Sequence, residues 1–593
     1  MRRSIATVCL SGSLVDKMHA ASAAGFDGIE MFEPDLVSSE LSPEEVVALA
    51  ARLGLTLDLY QPFRDFEGVG EEALVENLRR AEAKFRLMNR LGIDTMLVCS
   101  NVATATIDSD QVSADQLRRM GEVAAEHGVR IAFEALAWGR FVDDYRRSWR
   151  IVELADHPNV GVCLDSFHIL SRGHDPADIE RIPGDKIFFL QLADAPALSM
   201  DVLSWSRHHR VFPGEGSFDL PAFLAHVLRA GYDGPLSLEV FNDTFRQTDV
   251  DRTAVHALRS LVWLEDQSQR ILDGSEGLLP CVEPPTGFDF VEVKAEDTSD
   301  VEVMLGQLGF AFRGRHRSKP VSLWTSGDAR IVLNEQHARD TVAHLSAIGF
   351  LVAEPDAAGR RAQELMAPVV HRRTYATEVP LQAVEAPDGT EIFFGGPPTS
   401  AWIDEFHGGT GTPGELVTAV DHVNLAQPWQ DFDEAVLFFT SVLGLEAEDA
   451  GVELAGPRGL VRSRVMSSPL SDVRLPLNVV PPADEQSPSS QHVALLCSDT
   501  RAAVRRARAA GLSILPVPAN YYDDLQARLG LDDEFRRELE ALGVMYERDA
   551  TGEYFNAYTR TIGQVFFELV ERRDGYSGYG ASNAPVRMAA QRR

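Results

Sequence analysis

VGVCLDSFHIL, residues 160–170, opens as an unbroken apolar run, ends that run on Asp165, and places His168 three residues later. A run apolar on both faces reads as a strand of a parallel sheet that is covered on both sides. Three neighbours share its form. IAFEALAW (131–138) ends at Glu134, FFLQLAD (188–194) carries Gln191, and LSLEVFND (236–243) carries Glu239. Working outward, IATVCLS (5–11), DGIEMFE (27–33), LTLDLY (55–60) and DTMLVCS (94–100) complete eight strands separated by helix-like segments. Repeated β-then-α units favour a closed barrel over an open sheet. No GxGxxG follows the first strand to suggest a dinucleotide. The expected fold class is an α/β TIM barrel over residues 1–271.

In such a barrel the C-terminal ends of the strands meet at one mouth, where catalysis occurs. Glu134, Asp165, Gln191 and Glu239 would converge there as an oxygen-rich set suited to Mg2+ or Mn2+. A single strand-end acid is more often a helix cap or a surface ion pair. Four on successive strands reverse that reading.

A chain of 593 residues needs two or three domains. Its formal charge of −33 repels phosphate backbones and anionic lipid surfaces, so neither nucleic acid nor membrane is expected as a partner. MRRSIATVCLSGSL is too short and too polar a start for a signal peptide, and no stretch is long enough to span a bilayer. The expected location is the cytoplasm. Five scattered cysteines without zinc spacing read as reduced thiols. Subunit number stays open, a homo-oligomer included.

Composition changes at LDGSEGLLPCVEPPTG (272–287), which reads as a linker. The remainder is strand-rich and repeats itself. GFDFVEVK (287–294) resembles TAVDHVNLA (418–426), and RIVLNEQ (330–336) resembles RLPLNVV (474–480). AIGFLVAEPDAAGRRAQE (347–364) resembles QHVALLCSDTRAAVRRAR (491–508), and EIFFGG (391–396) resembles VFFELV (565–570). The copies are expected at 288–400 and 401–593, each an α+β unit curling around a cavity. Where the second copy carries His422, His492 and Glu568, the first offers Phe290, Ile348 and Gly396. Two imidazoles and one carboxylate leave coordination positions open, the facial-triad pattern of non-haem Fe(II).

GFDGIEMFE (25–33), LDSFHIL (164–170) and HHRVFPGEG (208–216) resemble the xylose isomerase-like superfamily, and within it the 3-dehydroshikimate dehydratase branch. RSRVMSSP (462–469), RLPLN (474–478), QHVALL (491–496), NYYDDLQARL (520–529) and FFELVERR (566–573) are similar to 4-hydroxyphenylpyruvate dioxygenase, of the vicinal oxygen chelate fold. This order of halves resembles bacterial dehydratases fused to a dioxygenase-like domain.

The resemblance implies metal-dependent dehydration of 3-dehydroshikimate to protocatechuate, through a metal-stabilised enolate and loss of the β-hydroxyl, in quinate and shikimate catabolism. It makes Glu134, Asp165, Gln191 and Glu239 the ligands. Many relatives have histidine at the Gln191 position, and an amide keeps the site hard, favouring Mg2+, Mn2+ or Co2+ over Zn2+. It also implies His168 as acid/base with His209 as the alternative, Glu30 as a group orienting a hydroxyl or relaying a proton, and Arg64 and Arg210 as holders of the substrate carboxylate.

For the second half it implies a further divalent metal, Fe2+ or Mg2+, on His422, His492 and Glu568. Departures touch the pocket and its lid. Asn556 stands where the dioxygenases have a substrate-contacting glutamine, Ala584 where they have an aromatic residue, and the C-terminal gating helix is missing or shortened. A metal-binding scaffold, an oxygenase for another small aromatic or keto acid, and a hydroxyphenylpyruvate dioxygenase all remain open. For the barrel the competing reading is an isomerase or epimerase of a sugar or hydroxy keto acid, which would use the same ligands.

Overall fold

The computed structural model describes the chain except residues 275–276, 397–400, 449–451, 457–458, 481–489 and 592–593, and gives no side chains for 452–456, 459–460 and Val480. Two compact units divide it, Met1–Leu279 and Pro280–Arg593.

In the first unit eight parallel strands close in sequence order: β1 Arg3–Ala6, β2 Gly28–Phe32, β3 Thr56–Phe63, β4 Thr95–Cys99, β5 Arg130–Glu134, β6 Val160–Asp165, β7 Ile187–Leu192 and β8 Leu236–Leu238. Strands β6 and β7 are buried along their whole length, as the unbroken apolar runs require. Local signals set the helices between them. Ser13 and Asp16 form a capping box at the start of Leu14–Ala24, and Ser42 and Glu45 do the same for Pro43–Leu53. The helix Val250–Asp273 runs two residues past the expected edge of the barrel at 271.

The segment after β7 returns across the mouth and is pinned by one acid. Asp194 Oδ1 accepts from the backbone N–H of Ala195 at 2.8 Å and of Phe218 at 3.0 Å, and Oδ2 from that of Gly214 at 3.1 Å. Gly216 has no alternative here, because a Cβ would lie 2.1 Å from Asp194 Oδ1.

The second unit holds two mixed sheets. The first comprises β9 Gly287–Lys294, β10 Ala311–His316, β11 Val321–Ser326, β12 Ala329–Asn334, β13 His344–Leu351, β14 Gln382–Glu385, β15 Glu391–Gly395 and β16 Phe406–Thr410. The second comprises β17 Val417–Pro428, β18 Glu446–Ala447, β19 Val452–Gly456, β20 Gly459–Ser467, β21 Arg474–Val480, β22 Gln491–Cys497, β23 Met545–Arg548, β24 Glu553–Tyr558 and β25 Val565–Arg573. Their orders, β14-β15-β13-β9-β12-β11-β10-β16 and β18-β20-β21-β17-β22-β25-β24-β23, repeat one plan. In each, a central strand (β9, β17) has a parallel neighbour (β12, β21) and an antiparallel one (β13, β22). Strand β16 pairs with β10, so the first sheet extends to Thr410, past the expected edge at 400.

Register corrects two of the expected repeat matches. Glu292 faces Ala347 as Asn424 faces His492, and Gly349 lies beside Phe393 as Ala494 lies beside Glu568. The residues at the three ligand positions are therefore Phe290, Ala347 and Phe393, rather than Phe290, Ile348 and Gly396. Ile348 is one residue out on β13, which is bulged against β9, whereas Gly396 lies past the end of β15, whose register with β13 is unbroken.

Replacing Asp194 with alanine takes the acceptor from three backbone N–H groups, that of buried Ala195 and those of half-buried Gly214 and Phe218. The expected loss is on the order of 3 kcal/mol, at about 1 kcal/mol or more for each orphaned donor. The denaturant midpoint of the barrel measures it, and a change below about 0.5 kcal/mol would deny Asp194 this role.

Candidate active site

Strand register gathers the barrel residues in one layer. Asp165 lies beside Gln191, Gln191 beside Ser237, and Cys99 beside Glu134, while Glu239 directly follows β8. Glu134, Asp165, Gln191 and Glu239 are all buried. Glu134, Asp165 and His168 each offer an atom within 4.8 Å of the others. Arg210 ties in the last acid, with Nη1 2.8 Å from Asp165 Oδ2 and 3.2 Å from Glu239 Oε2.

Burial and mutual repulsion push the Glu134 and Glu239 carboxyls up. Burial acts the same way on Asp165, but the Arg210 charge outweighs it and holds that carboxyl below its ordinary range. Glu134 Oε1 is buried and meets no hydrogen-bond donor. Gln191 gives its Nε2–H to Glu30 Oε2 at 2.7 Å, which turns its oxygen the other way, toward the thiol of Cys163 at 3.6 Å. An orphaned carboxylate oxygen, two further carboxylates and an oriented amide oxygen fit a hard divalent cation.

His168 is buried and faces donors on both nitrogens. The N–H of Ala137 lies 3.1 Å from Nδ1, and Arg210 Nη2 lies 3.3 Å from Nε2. A neutral ring has one lone pair, so it satisfies one donor and turns its single hydrogen toward the other. Burial first, then the Arg210, Arg64 and Arg207 charges against Asp165, lower its pKa to about 3. The ring is neutral at physiological pH.

Three expected residues sit elsewhere than their assigned roles require. Arg210 is almost fully buried and its fork is spent on Asp165, Glu239 and Ser206, so it neutralises the acids instead of reaching for a carboxylate. Glu30 lies beneath the layer, accepting from Gln191, Gln61 at 3.0 Å and Ser237, and therefore orients an amide. His209 is exposed, its ring beside His208, and does not enter the site. Arg64 lies just past β3, and its charge is among those that lower the pKa of His168.

Sequence reasoning missed Arg207, three residues before Arg210. Its guanidinium lies 5.2 Å over the Phe241 ring, and burial with the nearby Arg64 charge lowers its pKa. Among the described residues neither Arg64 nor Arg207 is ion-paired to a carboxylate. The SWSRHHR segment held the signal: Arg207 lies in the last turn of the helix Val202–His208, and the buried Arg210 follows just past its end.

In the second unit His422, His492 and Glu568 converge and are buried. Glu568 Oε2 lies 3.4 Å from His422 Nε2 and 3.1 Å from His492 Nε2. Its other oxygen accepts from Tyr554 Oη at 3.1 Å and Asn556 Nδ2 at 2.9 Å. Both imidazole Nε2 atoms and one carboxylate oxygen thus point at one another across a gap a cation would fill.

Residues 18–266 match the family model for the xylose isomerase-like TIM barrel, 283–396 that for the hydroxyphenylpyruvate dioxygenase N-terminal domain, and 419–540 that for the glyoxalase/bleomycin resistance protein/dioxygenase superfamily. The chain is 45% identical to a 3-dehydroshikimate dehydratase of Pseudomonas aeruginosa and 43% identical to that of Pseudomonas putida, covering 100% of this chain and 98% of each relative. The chain belongs to this dehydratase family. A solved structure described as a xylose isomerase-like TIM barrel/4-hydroxyphenylpyruvate dioxygenase fusion protein superposes with a TM-score of 0.91 at 42% identity, covering 100% of this chain and 99% of that one.

Because Glu30 fixes which end of the Gln191 amide faces the acids, Glu30→Gln offers that amide a donor as well as an acceptor. Metal affinity of the barrel is expected to fall roughly 10–100-fold, the usual cost of losing an outer-shell partner. Titration with Mg2+ or Mn2+ reads it, and unchanged affinity would return Glu30 to a purely structural role.

Proposed function

We propose that the barrel dehydrates 3-dehydroshikimate to protocatechuate with a divalent cation held by Glu134, Asp165, Gln191 and Glu239. The orphaned Glu134 oxygen inside a layer of buried acids carries this reading, and the full-length kinship selects the substrate. Bound there, Mg2+, Mn2+ or Co2+ supplies a Lewis acid that withdraws electrons from the substrate ketone.

The protein's own groups do the rest. Arg64 and Arg207 receive the substrate carboxylate at the mouth, free of competing acids. The proton to be removed sits on the carbon between the ketone and the carbon bearing the leaving hydroxyl. Its C–H electrons move to the ketone oxygen, and their return expels the β-hydroxyl, which takes the proton that His168 has accepted and leaves as water. Loss of a further ring proton and protonation of the ketone oxygen yield the aromatic ring.

His168, kept neutral, is the group placed to accept the first proton. Presenting an Nε2 lone pair to the site puts the ring hydrogen on Nδ1, against the Ala137 N–H, at a cost of about 1–3 kcal/mol. The Phe167 and Trp138 rings packed edge-on to the imidazole limit its freedom to turn. His168→Ala is expected to remove most of the dehydration, read as protocatechuate absorbance, with metal content unchanged. Full turnover in that variant removes His168 from the reaction.

Glu134→Ala is expected to lose metal and activity together, and retained activity after thorough chelation would sink the metal-assisted scheme. Alanine at Arg64 or Arg207 should lower kcat/KM roughly 10–100-fold, the value of about 1.5–3 kcal/mol for a charged hydrogen bond, with the loss mainly in KM. An unchanged KM would place the carboxylate elsewhere.

For the second unit we infer a divalent-metal centre on His422, His492 and Glu568 that does not turn over hydroxyphenylpyruvate. Asn556 supports this, because its amide is spent inward on Glu568, on Tyr558 at 2.9 Å and on Asn583 at 3.0 Å. The last described helix, Ala584–Ala590, is only seven residues long. After anaerobic loading with Fe2+, hydroxyphenylpyruvate is expected to cause no oxygen uptake. Stoichiometric uptake would overturn the inference.

A further inference from the structure

We propose that Asp421 and Arg572 are positioning residues that aim His422 at the second metal centre. The proposal rests on the reading of His422, His492 and Glu568 as ligands and names what orients one of them. Asp421 Oδ1 lies 2.8 Å from His422 Nδ1. Arg572 clamps the same carboxylate with Nε 2.7 Å from Oδ2 and Nη2 2.8 Å from Oδ1. A carboxylate held by a guanidinium is ionised and only accepts, so Nδ1 must carry the ring hydrogen. That leaves the lone pair on Nε2, the nitrogen facing Glu568.

Arg572 is itself immobilised. Its guanidinium lies 5.1 Å from the Tyr554 ring centre and 5.8 Å from that of Tyr576, and its Nη1 donates to the carbonyl of Gly578. Tyr554 also donates to Glu568, so one cluster steadies both a carboxylate and an imidazole ligand. Position along the chain explains the economy: Asp421 precedes His422 on β17, and Arg572 follows Glu568 by four residues on β25. His492 has no such device. Its Nδ1 is buried without a partner, and its ring is held instead by stacking on Phe566 at 4.9 Å.

A competing role must be separated. The metal-free half keeps an acid at the same register, Asp289 before Phe290, where it accepts from Trp402 Nε1 at 2.9 Å and pairs with Arg330 at 3.2 Å. There an acid braces strands without any histidine to orient. Asp421 must therefore be tested by metal affinity and not by stability alone.

The measurement is Co2+ titration of the full chain, followed by its visible ligand-field absorption. Glu134→Ala, which leaves both acid partners of Arg210 in place, is included in every protein to silence the barrel. Asp421→Ala is expected to weaken Co2+ binding 10–100-fold. Asp421→Asn, which keeps one acceptor and the volume, should lose less, and Arg572→Gln should resemble it. Glu571→Gln is the control, since Glu571 lies on the same strand but accepts from the Thr500 N–H and pairs with Arg573. It should leave Co2+ affinity unchanged. If Asp421→Ala fails to fold, the Asn and Gln variants decide. Parental affinity in folded Asp421 and Arg572 variants, or equal loss in Glu571→Gln, overturns the proposal. A parent that binds no Co2+ overturns the metal reading itself.

Discussion

Burying several carboxylates in one small volume is the constraint on which the barrel depends. Glu134, Asp165 and Glu239 share a layer with no access to bulk water, and isolated charges in such a place cost far more than a folded domain can spare. The protein answers with one guanidinium. Arg210 touches two of the acids, rests 4.5 Å over Phe167, and is carried by a segment that Asp194 anchors through three backbone N–H groups. Removing any of these parts exposes the others to uncompensated charge. Glu134 Oε1, buried and without a hydrogen-bond partner among the described residues, marks where positive charge is still missing.

The second unit answers the same problem twice, in opposite ways. Its two sheets share one plan, and equivalent positions hold His422, His492 and Glu568 in one and Phe290, Ala347 and Phe393 in the other. In the first sheet those three join Val321, Leu323, Val332, Trp402 and Phe406 in an apolar cluster. Desolvation is the deciding effect. Without a metal, two imidazoles and a carboxylate at the centre of a sheet would need other partners, whereas aromatic rings stabilise the fold by burial alone. The unit therefore gathers polar ligands in one half and apolar packing in the other.

Much of the fold was legible in the sequence because both architectures write strong periodic signals. The eight barrel strands are apolar runs bounded by helices, and their strand-end residues are where the barrel converges. His422, His492 and Glu568 stood out as candidate ligands because the first repeat is apolar where the second carries them, although of the three matches only Phe290 survives the strand register. What escaped was set by side-chain direction and register. Arg207 closes a helix and Arg210 follows just past its end, and only the packing there shows that Arg210 points into the acids while Arg207 leans on Phe241. Glu30 looked like a mouth residue because it sits in β2, yet Ser237, Gln61 and Gln191 all converge on it from below. The repeat matches at Ile348 and Gly396 failed because residue matching carries no strand register: the first is one residue out on the bulged β13, and the second lies past the end of β15.

The two centres follow one rule about which ligands need support. A carboxylate presents an oxygen whichever way it turns. An amide or an imidazole presents the right atom in only one of two orientations, and the flipped form aims an N–H at the cation. Behind Gln191 stands Glu30, whose oxygen accepts the amide N–H although burial and the Glu239 charge push that carboxyl up, and behind His422 stands Asp421, a carboxylate clamped by Arg572. Each such acid is held in turn by further donors, Gln61 and Ser237 in the barrel and Arg572 in the second unit. His492 is the exception, and it shows the limit of the rule. Stacked on Phe566, its ring plane is fixed by packing, whereas among the described residues its buried Nδ1 meets no partner that would fix the tautomer.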